Sequence, residues 1–324
     1  MTPALQQFQN HMQTADAHAA KNDDRAASSF YMAAIKIAMQ AGQLPPQLLA
    51  EARRAEQKVQ EYSRKFETHI QSEVNAVGFD AASKEDVRFA QSMDILFGRK
   101  QIFQQAPRMF YYPEMPHIQF YGRDQFEWVS GLEAETALIQ KEALAVFADN
   151  SAFKPYLTAD ESRPQNEHHE MLNNDDWGAF YLWQDGQEVT ANTARCPATK
   201  AALAPLFEST ISTIPNRSPN ILFSLLRPGA KIPPHNGLIN ARLICHLPLI
   251  VPQGCGFRVG NERREWQEGE MFLFDDTIEH EAWNNSDKPR LILLFETWRP
   301  ELSSKERQLI STMLAAVDKY NAPA

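Results

Sequence analysis

Residues 1–105 are predicted to be α-helical, because they are rich in strong helix formers and repeat their apolar positions every three to four residues. The predicted helices are Ala4–Ala20, Arg25–Ala41, Pro46–Val74 and Lys84–Phe97. Two interpretations of this region stay open. It is either a helical hairpin that packs on itself or on the next domain, or a degenerate tetratricopeptide-like unit that presents a groove to a peptide. No second copy of such a unit is found in the sequence, whereas these repeats generally occur in groups of about three or more.

The amino-acid composition changes several times along the middle of the chain. Many aromatic residues in Gly98–Trp128 predict an extended connector laid across the next domain, with His117 in a structural role. The polar segment Leu157–Asp176 is a candidate mobile loop or lid. Its adjacent histidines, His168 and His169, form a poor metal pair, because neighbouring side chains on an extended chain point to opposite sides. Helices are predicted at Gly131–Asp149 and Pro197–Ile214, and a strand at Trp177–Trp183.

Short apolar runs, separated by Pro, Gly and Asn, fill residues 219–302. Each run has the length of a strand or of a pair of strands and is rich in Ile, Leu, Val and Phe, which predicts a β-barrel or β-sandwich. An amphipathic helix, Lys305–Tyr320, is predicted to follow. We therefore predict an α+β chain with a helical region at 1–105 and a β-rich domain at 106–324.

Composition removes several classes of function. A net charge of −9 over 324 residues, with no basic cluster, argues against nucleic acid as a partner. No apolar run approaches the roughly 20 residues of a membrane span, and the N-terminus does not resemble a secretory signal. Three cysteines, Cys196, Cys245 and Cys255, lack metal-binding spacing and fit a reducing compartment. We expect a cytoplasmic protein, and the sequence leaves its oligomeric state open.

Two histidines in the β-rich domain suggest metal chemistry. His235 lies early in the domain and His280 near its end, which is how non-haem iron oxygenases place the two histidines that bind Fe(II). The usual carboxylate ligand, two residues after the first histidine, is replaced by Gly237. Two histidines in a β domain are more often structural, so the spacing alone is weak evidence.

Polar residues around these histidines strengthen the case for a site. Arg290 opens the strand after His280 and could pair with the distal carboxylate of 2-oxoglutarate, and Ser224 could donate a hydrogen bond to the same molecule. Strand alternation places Arg242, Ile244 and His246 on one face. Buried charge is costly without a partner, and a dicarboxylate would supply one.

The motifs of residues 224–302 resemble those of the aspartyl/asparaginyl β-hydroxylase family of Fe(II)/2-oxoglutarate-dependent dioxygenases. They are SLLRPGAKIPPHNG, NARLICHLPLIVP, WQEGE, FDDTIEHEAWN and RLILLFETWRPEL. The resemblance implies a double-stranded β-helix of the jelly-roll or cupin type. It further implies iron ligands at His235 and His280, 2-oxoglutarate contacts at Ser224, His246 and Arg290, and a water in place of the missing carboxylate. The implied reaction uses O2 and converts 2-oxoglutarate to succinate and CO2 while an unactivated carbon is hydroxylated.

One departure from the family concerns the pocket. Ile244 stands where animal members have an arginine, so one cation is lost, whereas Arg242 matches a second family arginine and is therefore expected to contact 2-oxoglutarate. The implied substrate is an aspartyl or asparaginyl residue in a peptide or a related amino acid; an acyl chain is the alternative. Halogenation on the same scaffold and a non-catalytic peptide-binding module also stay open. None of the four acidic residues near His280 is expected to bind iron; all four should face solvent or support the site. Asp275 and Asp276 are expected to order the loop before His280, and Glu279 and Glu281 to point away from the histidine.

Overall fold

A computed structural model describes residues 2–40, 45–83, 85–149, 151–159 and 171–321. The chain forms two compact units, Met1–Gln101 and Ile102–Ala324. Within the described residues, no helix has the length and apolar character needed to cross a bilayer.

In its described residues, the first unit consists of four helices: α1 (Pro3–Ala19), α2 (Asp24–Gln40), α3 (Pro46–Ala76) and α4 (Val87–Leu96). The stripes predicted from the sequence form its core, where Phe8, Met12 and Tyr31 are buried. Asp16 accepts hydrogen bonds from Tyr31 at 2.5 Å and from Arg54 at 2.7 Å, and so ties all three long helices together. The four predicted helices are confirmed to within a few residues; Ala41 and Lys84, at two of the predicted ends, lie outside the described residues. The tetratricopeptide-like interpretation stays a hypothesis.

The second unit contains the remaining elements. Its helices are α5 (Val129–Ala134), α6 (Thr136–Phe147), α7 (Thr190–Thr193), α8 (Pro197–Leu203) and α9 (Ser304–Asn321). Its strands are β1 (Phe120–Tyr121), β2 (Lys154–Pro155), β3 (Trp177–Gln184), β4 (Gln187–Glu188), β5 (Ile221–Leu226), β6 (Lys231–His235), β7 (Arg242–Ile250), β8 (Cys255–Val259), β9 (Glu262–Arg264), β10 (Phe272–Phe274), β11 (His280–Asn284) and β12 (Arg290–Trp298).

The strands form two antiparallel sheets. In the part of the chain described, the larger sheet has the order β1-β10-β7-β12-β5-β3-β2, with β4 beside β3, and the smaller has the order β6-β11-β8-β9. From β5 to β12 the chain passes repeatedly from one sheet to the other, which is the topology of a jelly roll. The predicted α+β fold with a double-stranded β-helix is therefore confirmed.

Strand alternation divides the core into two layers. On β7, Leu243, Cys245 and Leu247 face the layer that contains α5, α6 and α8. Ile244 faces the opposite layer, together with residues of the smaller sheet such as Phe257. The space between the two sheets is therefore lined by the even-numbered positions of β7.

Two predicted helices differ from the observed ones. The helix predicted at Pro197–Ile214 ends at Leu203; Pro205, which lacks a backbone N–H, lies in a short 3-10 turn. Ile211 then bridges to Thr297 of β12. The single helix predicted at Gly131–Asp149 is divided between α5 and α6 at Glu135, whose backbone departs from helical geometry. The strand at Trp177–Trp183 and the last helix, Lys305–Tyr320, are confirmed.

Candidate active site

A cavity of about 210 Å³ lies between the two sheets. The cavity is lined by the three residues that were expected on one face of β7, namely Arg242, Ile244 and His246. The other predicted site residues line it too: Ser224, His235, His280 and Arg290. The structure thus brings together every candidate residue that the sequence supplied, from five different strands.

The two candidate iron ligands lie side by side on neighbouring strands of the smaller sheet. His235 ends β6 and His280 begins β11, where the two residues are directly paired, and their ring centroids are 4.0 Å apart. The Nδ1 atom of His235 lies 2.8 Å from the Pro233 carbonyl, and that of His280 lies 3.1 Å from the Ile278 carbonyl. A proton on each Nδ1 leaves the lone pair on Nε2, which is the form that binds a metal.

Burial favours the neutral form of His280. The pKa of His280 lies well below its ordinary value, because burial and then the nearby His235 disfavour a positive charge. No group of three or more His, Cys, Asp or Glu side chains suited to a metal ion occurs among the described residues. Among the described residues, the donor set at this place is therefore the two imidazoles.

Gly237 is required by its neighbour Asp276. A Cβ atom at position 237 would lie 1.9 Å from Oδ2 of Asp276, and the Gly237 amide donates to the Asp276 carbonyl at 2.7 Å. The carboxyl of Asp276 thus fills the space that a side chain at position 237 would occupy. Within the described residues its buried Oδ1 has no hydrogen-bond partner, and burial raises its pKa to about 7. It lines the cavity as an unused hydrogen-bond acceptor.

The neighbouring acidic residues behave differently from Asp276. Asp275 orders its loop, as expected, by accepting from the Thr277 amide at 3.0 Å and from Arg299 at 2.8 Å. Glu279 and Glu281 both contact Arg258. These three carboxylates are accounted for by protein partners, whereas Asp276 faces the cavity instead of ordering the loop.

Arg290 lies at another part of the cavity and is fully buried. Its guanidinium lies 5.1 Å from the centre of the Trp266 ring and reaches Ser224 Oγ at 3.5 Å. No carboxylate pairs with it in the described part of the chain, and its Nε has no partner. Burial lowers the pKa of Arg290 to about 10, so it remains charged at neutral pH. A buried cation without an anion is the signature of an anion-binding site.

Ser224 and His246 complete this part of the cavity. The indole N–H of Trp177 donates to Ser224 Oγ at 3.2 Å, so the serine hydroxyl is free to donate its own hydrogen to a ligand. Burial, followed by the charge of Arg290, holds the pKa of His246 well below its ordinary value, so its ring is neutral. Its buried Nδ1 has no partner among the described atoms.

Arg242 shares the cavity but has carboxylates of its own. Its Nη1 contacts Oε1 of Glu296, and its Nη2 lies 3.9 Å from Oδ2 of Asp276. Glu296 also accepts a hydrogen bond from Ser218 at 2.5 Å. The positive charge of Arg242 is thus balanced inside the protein, and its assignment to the co-substrate stays a prediction.

Several site residues were missed in the sequence. Trp177, Asp276 and Glu296 were visible only as a strand start, a loop residue and a strand residue. The even spacing of Glu296 from Arg290 on one strand was a usable signal that both face the cavity. His117 is structural, as expected, accepting from the Gln105 amide at 3.2 Å. Leu157 lines the cavity, but His168, His169 and most of the candidate lid lie outside the described residues, so the lid stays a hypothesis.

Comparison with known proteins agrees with this geometry. Residues 133–300, just over half of the chain, match the family model described as Aspartyl/Asparaginyl beta-hydroxylase. Aspartyl/asparaginyl beta-hydroxylase of Mus musculus is 36% identical over 183 residues, which are 56% of this chain and 23% of that protein. Aspartate beta-hydroxylase domain-containing protein 2 of Xenopus tropicalis is 33% identical over 65% of this chain and 55% of its own length.

The name of another relative specifies a different kind of substrate. Ornithine lipid ester-linked acyl 2-hydroxylase of Rhizobium tropici is 30% identical over 201 residues, which are 58% of this chain and 63% of that protein. The chain thus spans less than two thirds of the length of each of these relatives. A solved cupin barrel from Salinispora arenicola matches with a TM-score of 0.25 and 13% identity, which is too low to bear on the fold. The family match, the relatives and the shared β-rich domain together show that this chain belongs to the aspartyl/asparaginyl β-hydroxylase family.

Proposed function

We propose that this protein is an Fe(II)/2-oxoglutarate-dependent dioxygenase that hydroxylates an unactivated carbon and converts 2-oxoglutarate to succinate and CO2. One observation carries the proposal. The buried Arg290 has no carboxylate partner among the described residues and shares a cavity of about 210 Å³ with the two facing histidines. An anion-binding group and a metal-binding pair in one enclosed space fit a metal cofactor and an acidic co-substrate.

The donor set fits ferrous iron. His235 and His280 would hold the ion through Nε2, and their Nδ1 contacts with backbone carbonyls fix the ring orientations. Iron in this setting supplies the redox chemistry with O2 that no protein side chain provides. Asp276 offers its unused Oδ1 as a hydrogen-bond acceptor in the same cavity.

The other residues suit the co-substrate. Arg290 would neutralise one carboxylate of 2-oxoglutarate with parallel hydrogen bonds, and Ser224 and the neutral His246 would donate to the same molecule. Apolar walls that include Phe257 and Phe274 would keep bulk water from the reacting groups. Binding 2-oxoglutarate would therefore supply the anion that the buried guanidinium lacks.

Asp276 weighs against halogenation on this scaffold. A halogenating enzyme of this type needs chloride in the place of the missing carboxylate ligand. Here the carboxyl of Asp276 already fills the space beside Gly237, and its ionised form would repel chloride. Hydroxylation is therefore the outcome that the cavity favours.

Anaerobic titration with Fe(II) and 2-oxoglutarate, followed by visible absorbance, tests the proposal. We expect a weak charge-transfer band in the wild type that is absent in His280→Ala and in Arg290→Met. Arg195→Met, which removes an arginine paired with Asp149 away from the cavity, is the matched control and should keep the band. Absence of the band from folded, iron-treated wild type would favour the non-catalytic binding module.

A further inference from the structure

A tryptophan ring, and not a carboxylate, lies beside the buried Arg290. Trp266 lies between β9 and β10 and is 4% exposed. The Cζ atom of Arg290 lies over its ring, 5.1 Å from the ring centre. Trp266 is absent from the described residues that line the cavity, whereas Arg290 is among them. The indole therefore acts on a ligand in the cavity through the residues that it contacts, of which Arg290 is the charged one.

Packing from both sheets fixes the plane of this ring. Phe257 of β8, in the smaller sheet, stacks on it with 5.3 Å between the ring centres and 24° between the planes. Phe272 of β10, in the larger sheet, stacks on it at 6.1 Å and 22°. These are favourable separations for offset-stacked rings. Trp266 is thus a firmly held surface on which the guanidinium of Arg290 packs.

Two other buried arginines are stabilised in a different way. Arg242 contacts Glu296. Arg299 also lies over a ring, that of Tyr121 at 5.5 Å, but it pairs with Asp275 at 2.8 Å as well. In both cases carboxylate oxygens occupy N–H groups of the guanidinium.

Arg290 has the ring without the carboxylate. Among the described residues no carboxylate pairs with it, and its closest polar contact is Ser224 Oγ at 3.5 Å. The face of an aromatic ring attracts a cation through its quadrupole. The N–H groups of a guanidinium point outward in its plane, and a ring places no oxygen on them. Trp266 therefore stabilises the buried charge and leaves its hydrogen-bond donors for a ligand.

Three buried nitrogen atoms around this contact have no hydrogen-bond partner among the described atoms. They are Nε of Arg290, Nε1 of Trp266 and Nδ1 of His246, whose ring centre lies 6.0 Å from that of the indole. Arg290 and His246 line the cavity and are free to donate to a bound anion. The indole N–H has no acceptor, so Trp266 is held by the packing of its ring. A phenylalanine at this position should therefore retain part of its effect.

We propose that Trp266 is a positioning residue for the co-substrate: its ring holds the charged guanidinium of Arg290 with its N–H groups directed at the distal carboxylate of 2-oxoglutarate. This inference rests on the proposed function. Because Trp266 does not line the cavity, it should affect the carboxylate that Arg290 binds and not the 2-oxo acid end of the molecule.

Two co-substrates that differ only at the distal carboxylate test this role. 2-Oxopentanoate has a methyl group where 2-oxoglutarate has that carboxylate. The full chain, loaded anaerobically with Fe(II), is titrated with each acid, and binding is followed by calorimetry and by the charge-transfer band. We expect Trp266→Leu to weaken 2-oxoglutarate binding about tenfold or more, as for the loss of a desolvated cation–π contact, and to leave 2-oxopentanoate binding within about twofold. Trp266→Phe should fall between wild type and Trp266→Leu, because phenylalanine keeps a ring that attracts cations less strongly.

A double variant separates positioning from packing. Arg290→Met removes the guanidinium, so adding Trp266→Leu should then leave 2-oxoglutarate affinity unchanged within about twofold. A ring that only filled space would weaken binding in both backgrounds. Trp283→Leu is the matched control, because Arg263 lies over the Trp283 ring at 5.7 Å and neither residue lines the cavity. This variant removes the same kind of contact and should change neither affinity.

Succinate formation with O2 gives a further readout. In Trp266→Leu the KM for 2-oxoglutarate should rise while kcat is retained, since the ring touches no reacting group. Three results would each overturn the inference: equal weakening of both acids, unchanged 2-oxoglutarate affinity in Trp266→Leu, or a further loss in the Arg290→Met background. The band in wild type would uphold the proposed function in each of these cases.

Trp266→Phe decides the matter if Trp266→Leu does not fold. Binding of 2-oxoglutarate that is weaker by about threefold or more, with the control unchanged, would support the role of the ring, and affinity equal to wild type would overturn it. Absence of both the absorption band and any succinate from folded, iron-treated wild type would instead overturn the proposed function and this inference with it.

Discussion

Two buried arginines line the same cavity and differ in what surrounds them. Arg242 begins β7 and contacts Glu296, with Asp276 nearby. Arg290 begins β12, and its closest polar contact among the described residues is the hydroxyl of Ser224 at 3.5 Å. The first charge is balanced by the fold and the second is left for a ligand. Burial of an arginine alone therefore does not mark a binding site; burial without a carboxylate does.

The difference has opposite consequences for stability and for binding. Removing one member of a buried pair leaves its partner charged and unpaired, which is strongly destabilising. Removing an unpaired buried charge relieves a cost that the folded protein already carries. We therefore expect substitutions of Arg242 to act on folding, and substitutions of Arg290 to act on the co-substrate.

Arg242→Met should have the largest effect on stability. Without the guanidinium, Glu296 is left buried and charged, and we expect a loss of about 3–5 kcal/mol in the free energy of unfolding. Urea unfolding of the metal-free protein measures this quantity. The double variant Arg242→Met/Glu296→Gln removes both charges and should recover much of the loss. A single variant within about 1 kcal/mol of wild type would show that the two side chains do not form a structural pair.

Arg290→Met should leave stability equal to wild type or higher, because it removes an unpaired buried charge. Affinity for 2-oxoglutarate should fall by about 30-fold or more, as expected for losing one partner of a buried charge-assisted contact. Anaerobic calorimetry and urea unfolding on the same preparation separate the two effects. Arg290→Lys keeps the charge without the planar fork and should fall between. A large loss of stability with unchanged affinity would reverse the roles of the two arginines.

Asp276→Asn should change how the stability of the protein depends on pH. Burial raises the pKa of Asp276 from 3.8 to about 7, so the folded protein holds this proton more tightly than the unfolded chain does. This residue therefore makes the wild type less stable as pH rises from about 4 to about 7, and the amide variant lacks that loss. One pKa unit corresponds to about 1.4 kcal/mol. Above pH 7, the free energy of unfolding of the variant should therefore gain at most ~4 kcal/mol relative to that of the wild type.

Urea unfolding of metal-free protein at several pH values measures this difference. Asp149→Asn is a control of opposite sign, because hydrogen bonds from Ser151 hold the pKa of Asp149 below its ordinary value. Removing that carboxylate should lower stability at neutral pH. If the difference between Asp276→Asn and wild type stayed constant from pH 4 to pH 8, the carboxyl would not be buried in solution as it is here.

The sequence was sufficient to predict which side chains of a strand face the cavity, because strand alternation decides this. Alternation on β7 placed Arg242, Ile244 and His246 on one face, and the structure has all three in the cavity. The sequence could not supply pairings between distant positions. Whether Arg242 meets a carboxylate depends on the register of β7 against β12, where Ile244 is opposite Glu296. That register is set by packing across the whole sheet, not by the local pattern.

The same limit explains why the position of Asp276 in the cavity could not be predicted. Its sequence neighbours suggest a loop that precedes β11, and Asp275 does order that loop. The space that Asp276 fills is created by Gly237, 39 residues earlier in the chain. A missing side chain leaves no pattern in the sequence that points to its replacement. Only the folded structure shows that the carboxyl of Asp276 occupies the space left free by the lack of a side chain at Gly237.

The smallest expected effect concerns how Ser224 supports Arg290. Trp177 donates to Ser224 Oγ at 3.2 Å, which leaves the serine hydrogen for the ligand. Ser224→Ala should weaken 2-oxoglutarate binding by about threefold to tenfold, the value of one neutral hydrogen bond, and Trp177→Phe by less. Because both act through one hydroxyl, the double variant should be weaker than wild type by less than the product of the two changes. Anaerobic calorimetry on the four proteins measures this coupling. Tyr156→Leu is the control for packing, since it removes the ring stacked 4.0 Å from Trp177 while keeping the indole hydrogen bond. Fully multiplicative effects would mean that Trp177 contributes only packing, and that Ser224 does not depend on it to donate to the ligand held by Arg290.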